Sequence, residues 1–155
     1  MTIDACTAAK TLGHLCKWDI PHLKMHKILY IAHTDYMGQC GERLIDTPFQ
    51  AWQYGPVQPD VYKRLSKFER RAVDDVFYSQ RVLPSGHEAR KMLEKFAFLN
   101  AYPATQLVNF THRRGSAWDL IYDGRKGIDI PDDLIKKEYS ELHNINTLPL
   151  MSHGN

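Results

Sequence analysis

The stretch from Pro21 to Gly41, "PHLKMHKILYIAHTDYMGQCG", constrains the fold more than any other. Met25, Ile28, Leu29, Ala32 and Tyr36 recur at helical spacings of three and four,. Leu23, Tyr30 and Met37 lie off that stripe, so the helix carries apolar residues on more than one face. A surface helix needs one apolar stripe, whereas a helix apolar on several sides needs neighbours on several sides. We therefore expect a central spine helix, started near Pro21 with Asp19 just upstream and stopped by Gly38 and Gly41,.

The rest of the chain reads as its jacket. Thr2 is placed to cap a first helix to about Lys17, with Ile3, Cys6, Ala9, Leu12 and Cys16 as its stripe,. Pro59 and Asp60 start another through about Glu69. "DDVFYSQRVLP" is rich in strand formers and suits either a short strand or an extended connection. Ser85 and Glu88 have capping-box spacing ahead of a stripe of Ala89, Met92, Leu93, Phe96 and Leu99. Pro103 opens a helix ending at Gly115. Ser116 and Asp119 open a short one stopping around Gly124, and Pro131, Asp132 and Asp133 open the last, with Leu134, Ile135 and Tyr139 turned inward,. The expectation is a mainly α fold: a single compact helical domain of six to seven helices over residues 1–148, with at most a small β-hairpin and a loose tail over 149–155.

At 155 residues, such a chain buries roughly 70% of the surface its unfolded form exposes, enough for a core without staples. Cys6, Cys16 and Cys40 form no paired motif, and their odd number suits free thiols in a reducing cytoplasm,,. No run approaches the roughly 18 apolar residues of a membrane span. A cytoplasmic location is expected. The net charge is only +2. Local basic runs (Lys63, Arg64, Lys67, Arg70 and Arg71; Arg113 and Arg114; Arg125 and Lys126; Lys136 and Lys137) read as solvated faces, so a nucleic-acid partner is not expected,.

Catalytic signals are weak. His22 and His26 stand four apart as two zinc ligands would, but Leu23 occupies the place where a zincin needs Glu, and no third ligand follows at a recognised spacing,,. No phosphate-cradling glycine loop and no nucleophile elbow is present,. No cofactor, no metal and no enzymatic activity is expected. Two segments stand out instead. "AWQYGPVQP", residues 51 to 59, combines Trp52 and Tyr54 with Gly55, Pro56 and Pro59. Its prolines fix φ, Gly55 permits a backbone conformation closed to other residues, and Val57 and Pro56 are expected to pack inward,. A stiffened aromatic loop loses little entropy on docking against a partner. In "THRRGSAW", His112 and Trp118 flank a helix break set by Gly115 and Ser116. Trp118 is expected to pack in the core and His112 to donate to a backbone carbonyl at the break.

Two long stretches, "IPHLKMHKILYIAHTDYMGQCGERLIDTPFQAWQYGPVQPDVY" and "THRRGSAWDLIYDGRKGIDIPDDLIKKEY", resemble the Panacea or SocA-like antitoxin domain family. The resemblance spans roughly residues 1 to 140. It implies a non-catalytic antitoxin that neutralises a protein toxin encoded beside it, often in a phage-related or mobile locus. Some relatives bind the toxin directly, and the SocA type delivers its toxin to the ClpXP protease. Lys27, Leu29, Tyr30, His33, Trp52, Tyr54, Gly55, Pro56, Val57, His112 and Trp118 match the family's signature. Ala117 and His26 depart from it and carry no assigned role. Some relatives append a DNA-binding domain, for which this chain has no room. Direct toxin binding is the first expectation and proteolytic delivery the second. A small metal-dependent or hydrolytic enzyme using His33 or His112 is the third.

Overall fold

A computed structural model describes residues 2–125 and 127–145; the expected domain end at 148 and the tail at 149–155 lie outside the described residues. The fold is mainly α, with helices α1 (Ala5–Leu15), α2 (His22–Cys40), α3 (Pro59–Leu65), α4 (Glu88–Phe96), α5 (Ala104–His112), α6 (Ala117–Ile121) and α7 (Asp132–Ile145). Short 3-10 turns extend α3 at Ser66–Phe68 and α4 at Ala97–Ala101. Three short strands, β1 (Gln50–Trp52), β2 (Gly55–Val57) and β3 (Ile128–Asp129), form one antiparallel sheet in the order β2-β1-β3. A hairpin forms at residues 50–57, where the sequence suggests a stiffened loop, and a third strand joins it, because Ile128 and Asp129 pair with Ala51 and Gln50. Among the described residues no helix is long and apolar enough to cross a membrane.

Helix α2 is the spine. Every residue from Met25 to Met37 is buried, and α1, α3, α4, α5, α7 and β2 all pack on it. Burial all round forces polar residues of α2 indoors as well: His26, Lys27, His33, Thr34 and Asp35. A polar group so enclosed is costly without a hydrogen-bond partner, and the partners found by Lys27, His26 Nδ1 and His33 Nδ1 fix how the surrounding loops attach to the spine.

Local starts and stops differ from expectation where distant contacts intervene. The cap of α1 is Asp4, whose carboxylate accepts the Thr7 N–H at 3.0 Å. Thr2 is displaced because Ile3 is held extended, its N–H donating to Leu44 O and its carbonyl accepting from Asp46. The helix ends at Leu15, and Lys17 and Trp18 turn left-handed just after it. Helix α2 runs through Gly38 and stops only at Gly41, which takes φ 76°. Gly38 is there for close approach, since a Cβ on it would overlap the Tyr139 ring of α7. Residues 74–84 form an extended connection without a strand. Ser85 and Glu88 make no capping box: the chain turns at Gly86, and His87 caps α4 through Nδ1, which accepts the Ala89 N–H at 3.1 Å. Helix α5 ends at His112, three residues before Gly115. Ser116 caps α6 by accepting from Asp119 N, while the Asp119 carboxylate accepts the Gly115 N–H at 2.9 Å.

Candidate functional site

The hairpin of β1 and β2 turns at Gln53 and Tyr54, and its return strand lies flat on the spine. Gly55 adopts φ 111°, and a Cβ there would come within 3.0 Å of Lys27 Cε and Thr111 Oγ1. Only glycine suits both the dihedral and the space. Pro56 and Val57 are buried, and the Pro56 carbonyl accepts from Lys27 Nζ at 3.0 Å. Gln58, wholly buried, caps α3: its side-chain oxygen accepts from Asp60 N at 3.1 Å and its amide donates to Thr47 O at 3.2 Å. Its own N–H donates to His26 Nδ1 at 3.2 Å. Two consecutive side chains of α2 thus bolt the base of the hairpin to the spine.

The second motif clamps the hairpin from the other side. Trp118 Nε1 donates to the Trp52 carbonyl at 2.7 Å. Its ring is stacked between His112, 3.6 Å away at an interplanar angle of 6°, and Tyr122, 4.8 Å away. His112 makes a backbone hydrogen bond to Tyr54 in the hairpin rather than at the helix break. Trp118 is half-buried against the core. The Trp52 ring stands 4.5 Å from Tyr62, with Nε1 donating to Gln50 at 3.0 Å. Tyr54, at the tip, is 61% exposed. Beside it opens a groove of about 1150 Å³, walled by Trp52, Tyr54, Tyr62, Tyr122 and Arg70, with His26 among its lining residues.

Burial sets the charge states. It lowers the Lys27 amine to about 7, and Lys27 lies wholly inside the fold. His26 is held well below the ordinary imidazole value, by burial first and then by Lys27 and His22. His33 is lowered to about 4, again by burial, and its Nδ1 accepts the Ile45 N–H at 3.2 Å. His112 is lowered by burial and Lys27 against the opposing Tyr54 hydrogen bond. Cys16 is pushed up to about 11 and Cys6 is raised too, so neither is a ready thiolate,. Among the described residues no group of three or more His, Cys, Asp or Glu could hold a metal. His33 and His112 each make one ring hydrogen bond to backbone, to Ile45 and to Tyr54.

Of the positions singled out in the sequence, Lys27, Trp52, Tyr54, Gly55, Pro56, Val57, His112 and Trp118 converge on this one cluster. Leu29, Tyr30 and His33 do not. Leu29 is core. Tyr30 donates to Glu138 Oε1 at 2.7 Å, and Glu138 also receives Arg113 at 2.7 Å and the Ala117 N–H at 3.2 Å. His33 ties down the turn after α2. Sequence reasoning gives no role to His26 and misses Gln58, Tyr62 and Glu138. Of these Gln58 carries a local signal, since it stands directly before a helix-opening proline, where an N-cap belongs.

No solved structure matches the chain. It is 29% identical over 156 aligned residues to Antitoxin SocA of Caulobacter vibrioides (strain NA1000 / CB15N), an alignment that covers 89% of this chain and 83% of that protein. The family profile described as Antitoxin SocA-like, Panacea domain, matches residues 25–119, a span running from the buried part of α2 through the hairpin to just past Trp118. The chain belongs to the SocA-like, Panacea-domain antitoxin family.

Proposed function

We propose that this chain neutralises a cognate protein toxin by binding it directly, with the tip of the hairpin and the adjoining groove as the contact surface. Membership of an antitoxin family implies a toxin partner. The observation that carries the rest is the contrast at Tyr54: an aromatic side chain 61% exposed on a backbone fixed from both sides by Lys27, Trp118 and His112. Preorganised aromatic anchors dominate the energetics of protein interfaces and lose little freedom on docking,. In this reading Trp52 and Tyr54 contact the toxin, and Lys27, Gly55, Pro56, Val57, His112 and Trp118 hold them in place. Tyr30 and His33 keep the spine's surroundings in order. A non-catalytic role, a cytoplasmic setting and a phage-derived locus belong to the same proposal.

The test is binding to the product of the neighbouring open reading frame. Tyr54→Ala should weaken the complex at least about tenfold, the effect of a hot spot,, while the melting temperature stays within about 2 °C of the parent, as for other exposed sites. Undiminished binding, or a variant that no longer folds, removes Tyr54 from the interface. Delivery to ClpXP rests on the resemblance alone. It predicts that toxin half-life in cells falls when this protein is present and recovers without the protease.

A further inference from the structure

The segment that supplies one wall of the groove carries a charge that the chain as a whole does not. Residues 60–71 hold Lys63, Arg64, Lys67, Arg70 and Arg71 against Asp60 and Glu69, in a protein of net charge +2. All five cations are exposed. None of them forms an ion pair with a carboxylate among the described residues; those pairs are made by Lys10, Arg43, Lys95, Arg90, Arg113 and Arg125. The Arg71 guanidinium donates to Phe68 O at 3.3 Å and to Lys67 O at 3.4 Å and lies 5.6 Å from the Phe68 ring centre, which holds it at the end of the turn. Arg70 and Arg71 line the groove beside Trp52, Tyr54 and Tyr62, together with one opposing carboxylate, Glu69.

A second, independent feature lies deeper. His26 is 1% exposed, and its Nδ1 accepts the Gln58 N–H, so the neutral ring carries its proton on Nε2,. That buried Nε2–H has no acceptor among the described residues. A buried donor without a partner is unfavourable, and an incoming oxygen would relieve it,.

We propose that this groove receives an acidic segment of the toxin chain. An apolar or aromatic side chain of that segment seats against Trp52, Tyr54 and Tyr62. Its Asp or Glu neighbours face Arg70 and Arg71, and a backbone carbonyl takes the His26 N–H. The inference rests on direct toxin binding and deepens it. Charge complementarity selects an acidic occupant. Glu69 in the wall and the small net charge of the chain argue for a peptide over a nucleic-acid strand, whose continuous phosphates need a broader basic field.

The experiment uses the full chain with three probes: the neighbour-encoded toxin, a synthetic Glu-Tyr-Leu peptide of about 12 residues, and oligothymidylate. Arg70→Glu with Arg71→Glu should weaken both toxin and acidic peptide about tenfold or more. Raising salt to about 0.5 M, where screening reaches a few ångströms, should do the same to the parent. Lys136→Glu with Lys137→Glu, on the exposed face of α7, is the charge-matched control and should change neither. Toxin bound equally by the parent and the Arg70/Arg71 variant, with no peptide binding, overturns the inference and leaves direct binding standing. A parent chain that binds no toxin removes the reading beneath it. Tighter binding of oligothymidylate than of the peptide also overturns it.

Discussion

Lys27 is an amine set inside the fold against the Pro56 carbonyl, and its chemistry is legible in its titration. Its amine stands at about 7 in the folded protein against about 10.5 for an ordinary lysine, because burial disfavours the charge,. Between those two values the unfolded chain holds a proton that the folded chain does not. Stability therefore rises with pH across that window, and below about pH 7 the full penalty of burying the charge is felt. Lys27→Met removes the titration, and with it the hydrogen bond to Pro56 O, a loss of about 1 kcal/mol that does not vary with pH. In urea unfolding at pH 7, 8 and 9, the parent should gain on the Met variant by up to about 1.4 kcal/mol per unit,. A difference that stays constant over these values means that Lys27 keeps its proton in the fold. The residue's place follows from the spine: on a helix buried on all sides, position 27 has nowhere to go but inward, and the carbonyl of a proline-bearing strand is what meets it.

At the scale of elements, the seam between α2 and α7 turns on Gly38. A methyl group there overlaps the Tyr139 ring, an overpacking that costs about 1–3 kcal/mol,. The better helix propensity of alanine returns about 1 kcal/mol. Gly38→Ala should lower the melting temperature by about 3 °C, and the loss should vanish in a Tyr139→Leu background, where the ring is gone. Stabilisation by Gly38→Ala alone would show that Tyr139 swings aside freely. This glycine also shows where sequence reading stops. In the chain it looks like a helix stop; its reason lies a hundred residues downstream. The same holds for α1, where Thr2 and Asp4 both offer a capping oxygen and the choice is made by Ile3 pairing with residues 44–46. Signals confined to a few neighbours were readable: the all-round apolarity of α2, the start at Pro59, and Ser116 with Asp119. So was the grouping of Trp52, Tyr54, Gly55, Pro56 and Val57 in one segment, though not its form as a hairpin. That Lys27 lies under it, that Tyr30 and His33 face elsewhere, and that Glu138 is buried beneath an acidic and basic helix surface all depend on packing partners remote in sequence.

For the molecule as a whole, the consequence of a central spine is cooperativity. Helices α1, α3, α4, α5 and α7 and strand β2 each cover part of α2, so removing any one of them exposes apolar surface that the others cannot hide. Side-chain ties reinforce this across long separations: Tyr30 to Glu138 and on to Arg113, Lys95 to Asp35, Lys10 to Asp75. We expect residues 2–145 to unfold as one unit. The tryptophans report from two places, Trp18 after α1, and Trp52 with Trp118 at the hairpin and its clamp. Their fluorescence should change at the same urea midpoint as the helical circular dichroism signal. Amides of residues 25–37 should exchange with solvent only through global opening, at the free energy measured by urea. If the hairpin loses its tryptophan signal or its amide protection well before the helices, it is a separately unfolding flap and not part of the spine's jacket. The distinction bears on recognition. A hairpin that opens only when α2 does presents Tyr54 in one geometry at all times, so toxin binding should raise the stability of the entire chain, by about 2.7 kcal/mol at a hundredfold excess over the dissociation constant, with the protection of α2 rising as much as that of the hairpin.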